Sequence, residues 1–273
     1  GGSVSVSRPG STSVSGKGEY EVLSELDRWG LLGLAQLEGL LFRRDAEVRE
    51  KVGLFFNDYD REVFDRYGYK RLFRLEKAGY IQRFDERWRS AGSYGWAYGL
   101  TKIGKAKLDK ARPSPDIDFR RKWSASVVRD YILKNGLGLA LVKILRLKVK
   151  SRHQLACNSR DTGTNETQIQ SRIPDLMIEQ KEPLLLRVGF SWNWPREREL
   201  WQLWGRYPML YLTSRVEKRE VLRRAKEAYA GQVYAGELDD FREKLGEAAF
   251  TDTGHKTTTL NQMIGRSDLP WGI

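Results

Sequence analysis

Cysteine is all but missing from this chain. Cys157 is the single one among 273 residues, which excludes an internal disulfide and a metal site built from clustered thiolates. Histidine is nearly as scarce: His153 and His255 are the only two, and neither lies beside a candidate nucleophile or at metal-ligand spacing. No Gly-x-x-x-x-Gly-Lys-Ser/Thr run occurs, so a phosphate loop of that kind is excluded. No apolar run approaches the roughly 18–20 residues that a membrane span needs. Residues 1–18 are rich in Gly and Ser and lack the apolar stretch of a secretory signal. They are expected to be a flexible leader, and the protein to be cytoplasmic.

Positive charge, by contrast, is abundant. The net charge is +12, with 31% charged and 40% hydrophobic residues, a balance that fits a globular chain with a sizeable core. The excess is unevenly placed. Residues 1–59 hold 7 basic and 9 acidic residues, 60–112 hold 14 and 7, and the remainder 27 and 20. The surplus thus begins abruptly at Asp60. A phosphate polymer is the commonest partner for such a surface, because each neutralised phosphate releases condensed counterions. A basic protein that is merely soluble would share the charge.

The first half reads as helices followed by a hairpin. Val22, Leu23, Leu26 and Trp29 fall at helical spacing, stopped by Gly30, and residues 32–43 repeat the pattern through Leu34, Leu37, Leu40 and Leu41. A third helix is expected within residues 60–81. On its wheel Phe64, Leu72 and Leu75 gather on one side, and Arg66, Lys70, Arg74 and Lys77 on the other. Gly79 should end it as a left-handed cap. "YIQRFDERW" and "YGWAYGL" then alternate at strand period around a turn, and "LTKIGKAKLDKA" closes with a short basic helix. This order is that of a winged helix-turn-helix over residues 19–112. Its third helix would read the major groove through Arg66, Lys70, Arg71, Arg74 and Lys77, with Arg87 and Arg89 on the wing. The alternatives are a protein-docking winged helix, or a merely solvated charged helix face.

"RPSPDID", residues 112–118, reads as a linker. The second domain, 119–250, should open with a helix ending at Asn135-Gly136. A strand is expected next, with Leu145, Leu147 and Val149 on one face and Arg146, Lys148 and Lys150 on the other. That cationic face suits nucleic acid, or else protects an edge strand. Residues 153–172 read as a long polar loop. Two apolar strands in "IPDLMIEQKEPLLLRVGF", a helix with Pro195 in its first turn, the strand "PMLYLTS" and further helices and a strand complete an α/β pattern with a central mixed sheet. Residues 251–273 read as a polar tail. Among the nine tryptophans, Trp201 and Trp204 share a helical face and suit a core. Trp192 and Trp194 could sit on an exposed loop and stack on bases or on a partner.

The string "YKRLFRLEKAGYIQRF…YGLTKIGKAKL" resembles the winged-helix half of many bacterial DNA-binding proteins. The strand order around Pro174-Asp175 looks like a PD-(D/E)xK, restriction-endonuclease-like fold. Together, from about Tyr20 to Phe250, the chain resembles the replication-relaxation family of bacterial plasmids and mobile elements. That resemblance implies a DNA-binding protein of replication, mobilisation or transcription control, associated with the nucleoid or a plasmid. Its implied partners are double-stranded DNA, a second copy in a homodimer, or a replication or transposition protein.

An active nuclease of this type needs carboxylates around a divalent ion, which polarises the scissile phosphate and activates a water. Asp175 matches the first acid. Where the resemblance would put the second acid and the lysine, the chain has Arg187 and Gly189, and "LLLRVGF" contains no carboxylate. Arg187 should repel a metal and pair with Asp175, which would itself serve as a turn or cap residue. No catalytic residue, metal or cofactor is therefore expected. One route to a metal-dependent endonuclease stays open, a second acid moved to the following helix, Glu197 or Glu199. A non-enzymatic adaptor of a replication or transposition complex is the further alternative.

Overall fold

The computed structural model describes residues 17–42, 55, 66–84, 96–111, 113, 124–159 and 172–265. It is an α/β protein with a small antiparallel sheet and a large mixed one.

Helix α1 (Lys17–Trp29) buries Val22, Leu23, Leu26 and Trp29, as their spacing predicts. The expected helix over 32–43 is different. Strand β1 (Leu31–Gly33) comes first, then α2 (Leu34–Leu37), which runs on as a π-helical turn, Glu38–Phe42. Every residue from Leu31 to Leu40 is buried, so the run has no polar face to mark its period, and pairing with a distant strand decides its form. Gln36 tailors the bend: its Oε1 accepts from Gly33 N–H, and its Nε2 donates to the carbonyls of Phe55 and Ile132.

Helix α3 (Arg66–Lys77) buries Leu72 and Leu75 and leaves Lys70, Arg74 and Lys77 exposed. Gly79 adopts φ 75°, and the N–H groups of Gly79 and Tyr80 donate back to the carbonyls of Glu76 and Leu75. This is a Schellman ending, which an L side chain would strain. Strands β2 (Ile81–Phe84) and β3 (Ala97–Leu100) pair antiparallel, and β1 joins on the far edge of β3. Thr101 locks the exit: its hydroxyl caps α4 (Lys102–Asp109) by accepting from Gly104 N–H, and donates to Gly79 O at 2.5 Å.

Helix α5 (Ala125–Lys143) does not stop at Asn135-Gly136 as expected. That pair is a joint rather than a turn. Asn135 Nδ2 donates to the carbonyls of Trp29 and Leu31, and a Cβ on Gly136 would lie 2.0 Å from the Phe55 carbonyl oxygen. Val128, Tyr131 and Ile132 pack on Leu31 and Ala97 of the small sheet.

Because α5 continues to Lys143, residues 144–148 are used in leaving it, with Arg146 at φ 55°. The expected six-residue cationic strand shrinks to β4 (Val149–Ser151). The expected loop begins as a helix, α6 (Arg152–Ser159), and residues 160–171 lie outside the described ones. Then follow β5 (Leu176–Ile178), β6 (Leu184–Val188), α7 (Trp194–Trp204), β7 (Met209–Thr213), α8 (Arg215–Glu227), β8 (Val233–Glu237), α9 (Leu238–Lys244) and a 3-10 turn. The expected tail over 251–273 instead begins by continuing the sheet. Strands β9 (Ala249–Asp252) and β10 (Thr257–Thr259) form its far edge, and α10 (Leu260–Met263) buries Leu260.

The large sheet runs β10-β9-β8-β7-β6-β5-β4, with β6, β7 and β8 parallel and the other pairs antiparallel. Both faces are covered. Leu184, Leu186, Val188, Leu210 and Leu212 face a core that continues through α5 into α1. Leu185, Met209 and Tyr211 face α7 and α8. Replacing Gly136 with Ala should therefore push α5 off the Phe55 carbonyl and destabilise the fold by about 1–3 kcal/mol. A lower urea midpoint at unchanged slope would register this, and an unchanged midpoint would remove the joint.

Candidate functional site

Asp175 directly precedes β5, and the register Leu176↔Leu186 sets it opposite Arg187 on β6. Its carboxylate is fully buried, so it is not the turn or cap residue expected of it. Oδ1 accepts from Arg152 Nη1 at 2.6 Å and faces Lys134 Nζ at 3.0 Å. Oδ2 accepts from Arg187 Nη1 and from the Val188 N–H, both at 2.9 Å. An ionised carboxylate offers about four lone-pair positions, and all of them are engaged.

Arg187 then reaches across to α7. Its Nε donates to Glu197 Oε2 at 3.2 Å and its Nη2 to Glu197 Oε1, a forked pair. Tyr211, beside Arg187 in the sheet register, donates its hydroxyl to Glu197 Oε2 at 2.6 Å. Trp201 Nε1 donates to the Tyr211 oxygen at 2.8 Å. Trp192 packs edge-on against Tyr211 at 5.0 Å and lies 5.5 Å from the Arg187 guanidinium carbon. It is half-buried, as is Trp194 beneath Arg224, so neither is the free loop aromatic expected.

Electrostatics follow from this geometry. Burial alone would raise the pKa of Asp175, but Arg187, Lys134, Arg152 and the Val188 N–H outweigh it and hold the acid well below the usual carboxylate range. Burial works equally against the charge of Arg187, which Asp175 and Glu197 restore and strengthen. Burial and then the Glu197 charge push the Tyr211 phenol well above its ordinary value.

The divalent ion implied by a nuclease-like fold does not fit this residue set. Glu197 does fold back toward Asp175, but the Arg187 guanidinium lies between the two acids, where a shared metal would have to sit. Glu199 faces solvent and pairs with Arg172 at 3.5 Å. Among the described residues no group of three or more His, Cys, Asp or Glu side chains could hold a metal.

The residues expected to touch DNA are dispersed. Lys70, Arg74 and Lys77 line the exposed face of α3. Arg66 opens that helix, whereas the half-buried Arg71 turns its guanidinium over Gly18 of α1. Arg87 and Arg89 lie outside the described residues. Arg146 and Lys148 are exposed in the turn after α5 rather than on a strand, and Lys150 pairs with Glu179 at 2.8 Å. Sequence reading missed Lys134, Arg152 and Tyr211. Only Lys134 carried a local sign, its i,i+4 spacing to Asp130, to which it is bonded at 2.7 Å.

Replacing Asp175 with Asn leaves three cations around a neutral group, and should cost about 3–5 kcal/mol in urea unfolding. The acid limb should change as well. The folded-state pKa lies below the unfolded value of about 3.9. The Asp175 contribution is therefore complete above that value and fades as pH falls toward the folded pKa. Stability measured from pH 6 downward should lose this component in the wild type and lack it in the variant. Parallel acid limbs would refute the buried ion.

The family model described as replication-relaxation matches residues 23–188, more than half of the chain. No curated protein and no solved structure matches it.

Proposed function

The chain belongs to the replication-relaxation family, and from that premise we propose a non-enzymatic, double-stranded-DNA-binding protein serving replication or mobilisation of a plasmid or other mobile element. In this reading residues 19–112 act as a winged helix, with α3 entering the major groove. The carrying observation is the sidedness of α3. Leu72 and Leu75 are fully buried while Lys70, Arg74 and Lys77 are exposed along one ridge, and the nearby acid Glu76 is engaged by Arg83 at 3.4 Å. A ridge of cations with no acid between them is what a row of phosphates recognises.

The three-stranded sheet supports the same reading, since β2 and β3 leave α3 in the position of a wing hairpin. The larger sheet acts as a nuclease-like scaffold whose acid has become structural, because the lone pairs of Asp175 are spent on Lys134, Arg152, Arg187 and Val188. It would supply further phosphate contacts, dimerisation or partner docking. Among the described residues no helix is long and apolar enough to cross a membrane.

Reversing Lys70 and Arg74 to Glu should abolish duplex binding in a gel shift at moderate salt. Unchanged affinity would take α3 out of the DNA-reading role. Supercoiled DNA incubated with magnesium or manganese should remain intact. Cleavage by the wild-type protein that Glu197→Gln eliminates would overturn the non-enzymatic part.

A further inference from the structure

The salt-locked acid does not close the surface above it. A cleft of about 530 Å³ opens between α5, the carboxyl end of β6 and the first turn of α7. Its lining holds five cations, Arg129, Lys134, Arg152, Arg187 and Arg196, against two carboxylates, Asp130 and Glu197. Three of these cations are fixed from beneath by Asp175. Arg129 and Arg196 stand exposed at the rim. The wall is aromatic: Phe190 is 56% exposed, and Trp192 is braced by Tyr211.

Position reinforces the charge. The cleft lies at the carboxyl end of a parallel strand, where open α/β sheets receive ligands. It also meets the amino end of the eleven-residue helix α7, whose dipole favours an anion, although Pro195 brings no N–H there and the Asn193 side chain takes the Arg196 N–H. Cations fixed in a half-enclosed site suit a phosphate, and an exposed ring next to them suits the flat face of a base. A bare inorganic anion would leave the aromatic wall without a role.

We propose that this cleft binds a nucleoside phosphate unit, with the phosphate over the fixed cations Lys134, Arg152 and Arg187 and clasped from the rim by Arg129 and Arg196, and the base laid against Phe190 and Trp192. The unit comes either from an unpaired nucleotide of a DNA strand or from a free nucleotide. The inference does not depend on α3 reading duplex DNA.

Fluorescence anisotropy of the full chain with a labelled single-stranded oligothymidylate provides the test. Converting the exposed Arg129 and Arg196 together to Ala should weaken binding about tenfold or more and leave duplex affinity unchanged. Phe190→Ala should weaken it as well, while reversal of Lys70 and Arg74 should spare it. Competition by thymidine monophosphate would identify the free nucleotide as a ligand. Retention of the oligonucleotide against that competitor would assign the strand as the source. Three results would overturn the proposal: wild-type affinity in the Arg129/Arg196 variant, equal binding of an abasic oligonucleotide, or loss of single-strand binding only on reversal of Lys70 and Arg74.

Discussion

One buried carboxylate organises the larger half of this molecule. Asp175 has no contact with water, and around it converge Lys134 from α5, Arg152 from α6 and Arg187 from β6. Through Arg187 the network extends to Glu197 on α7 and Tyr211 on β7. Taking these charges out of water is expensive, and only the completeness of the pairing offsets that cost. Such a cluster also specifies register. A slip of one residue between β5 and β6 would turn Arg187 to the opposite face and strand both acids.

The same constraint bears on metal binding and on the proposed cleft. A metal would need lone pairs that guanidinium and ammonium groups already occupy. Those cations, once fixed by Asp175, cannot swing away from the cleft they floor. Side chains held in place before a ligand arrives lose little conformational freedom on binding it. The buried acid and the open cleft are thus two sides of one set of residues.

Helix α5 couples this network to the rest. Lys134 points into the ion cluster, while the next residue, Asn135, ties the backbone of Trp29 and Leu31. The core accordingly runs without a break from Val22 on α1 to Leu260 on α10. On local grounds Asn135-Gly136 favours a turn that would end the helix. Close packing against Phe55 and the carbonyls of Trp29 and Leu31 overrides that preference. β1 was hidden for a related reason. A segment buried on every side carries no periodicity, and its strand partner Ala97–Leu100 lies far along the chain.

What the sequence determined by itself was whatever depends on neighbours in the chain. The two-faced α3, its Gly79 ending, Pro195 at the start of α7 and the buried β7 all follow from spacing and intrinsic preference. The conflict between Asp175 and Arg187 was also legible, because antiparallel pairing across a short turn is a local event. What answers that conflict is set by the folded chain. Lys134 and Arg152 lie 41 and 23 residues before Asp175, and no local pattern announces that they meet it. A buried charge requires its partners wherever the fold can bring them, and that requirement is met in space rather than along the chain.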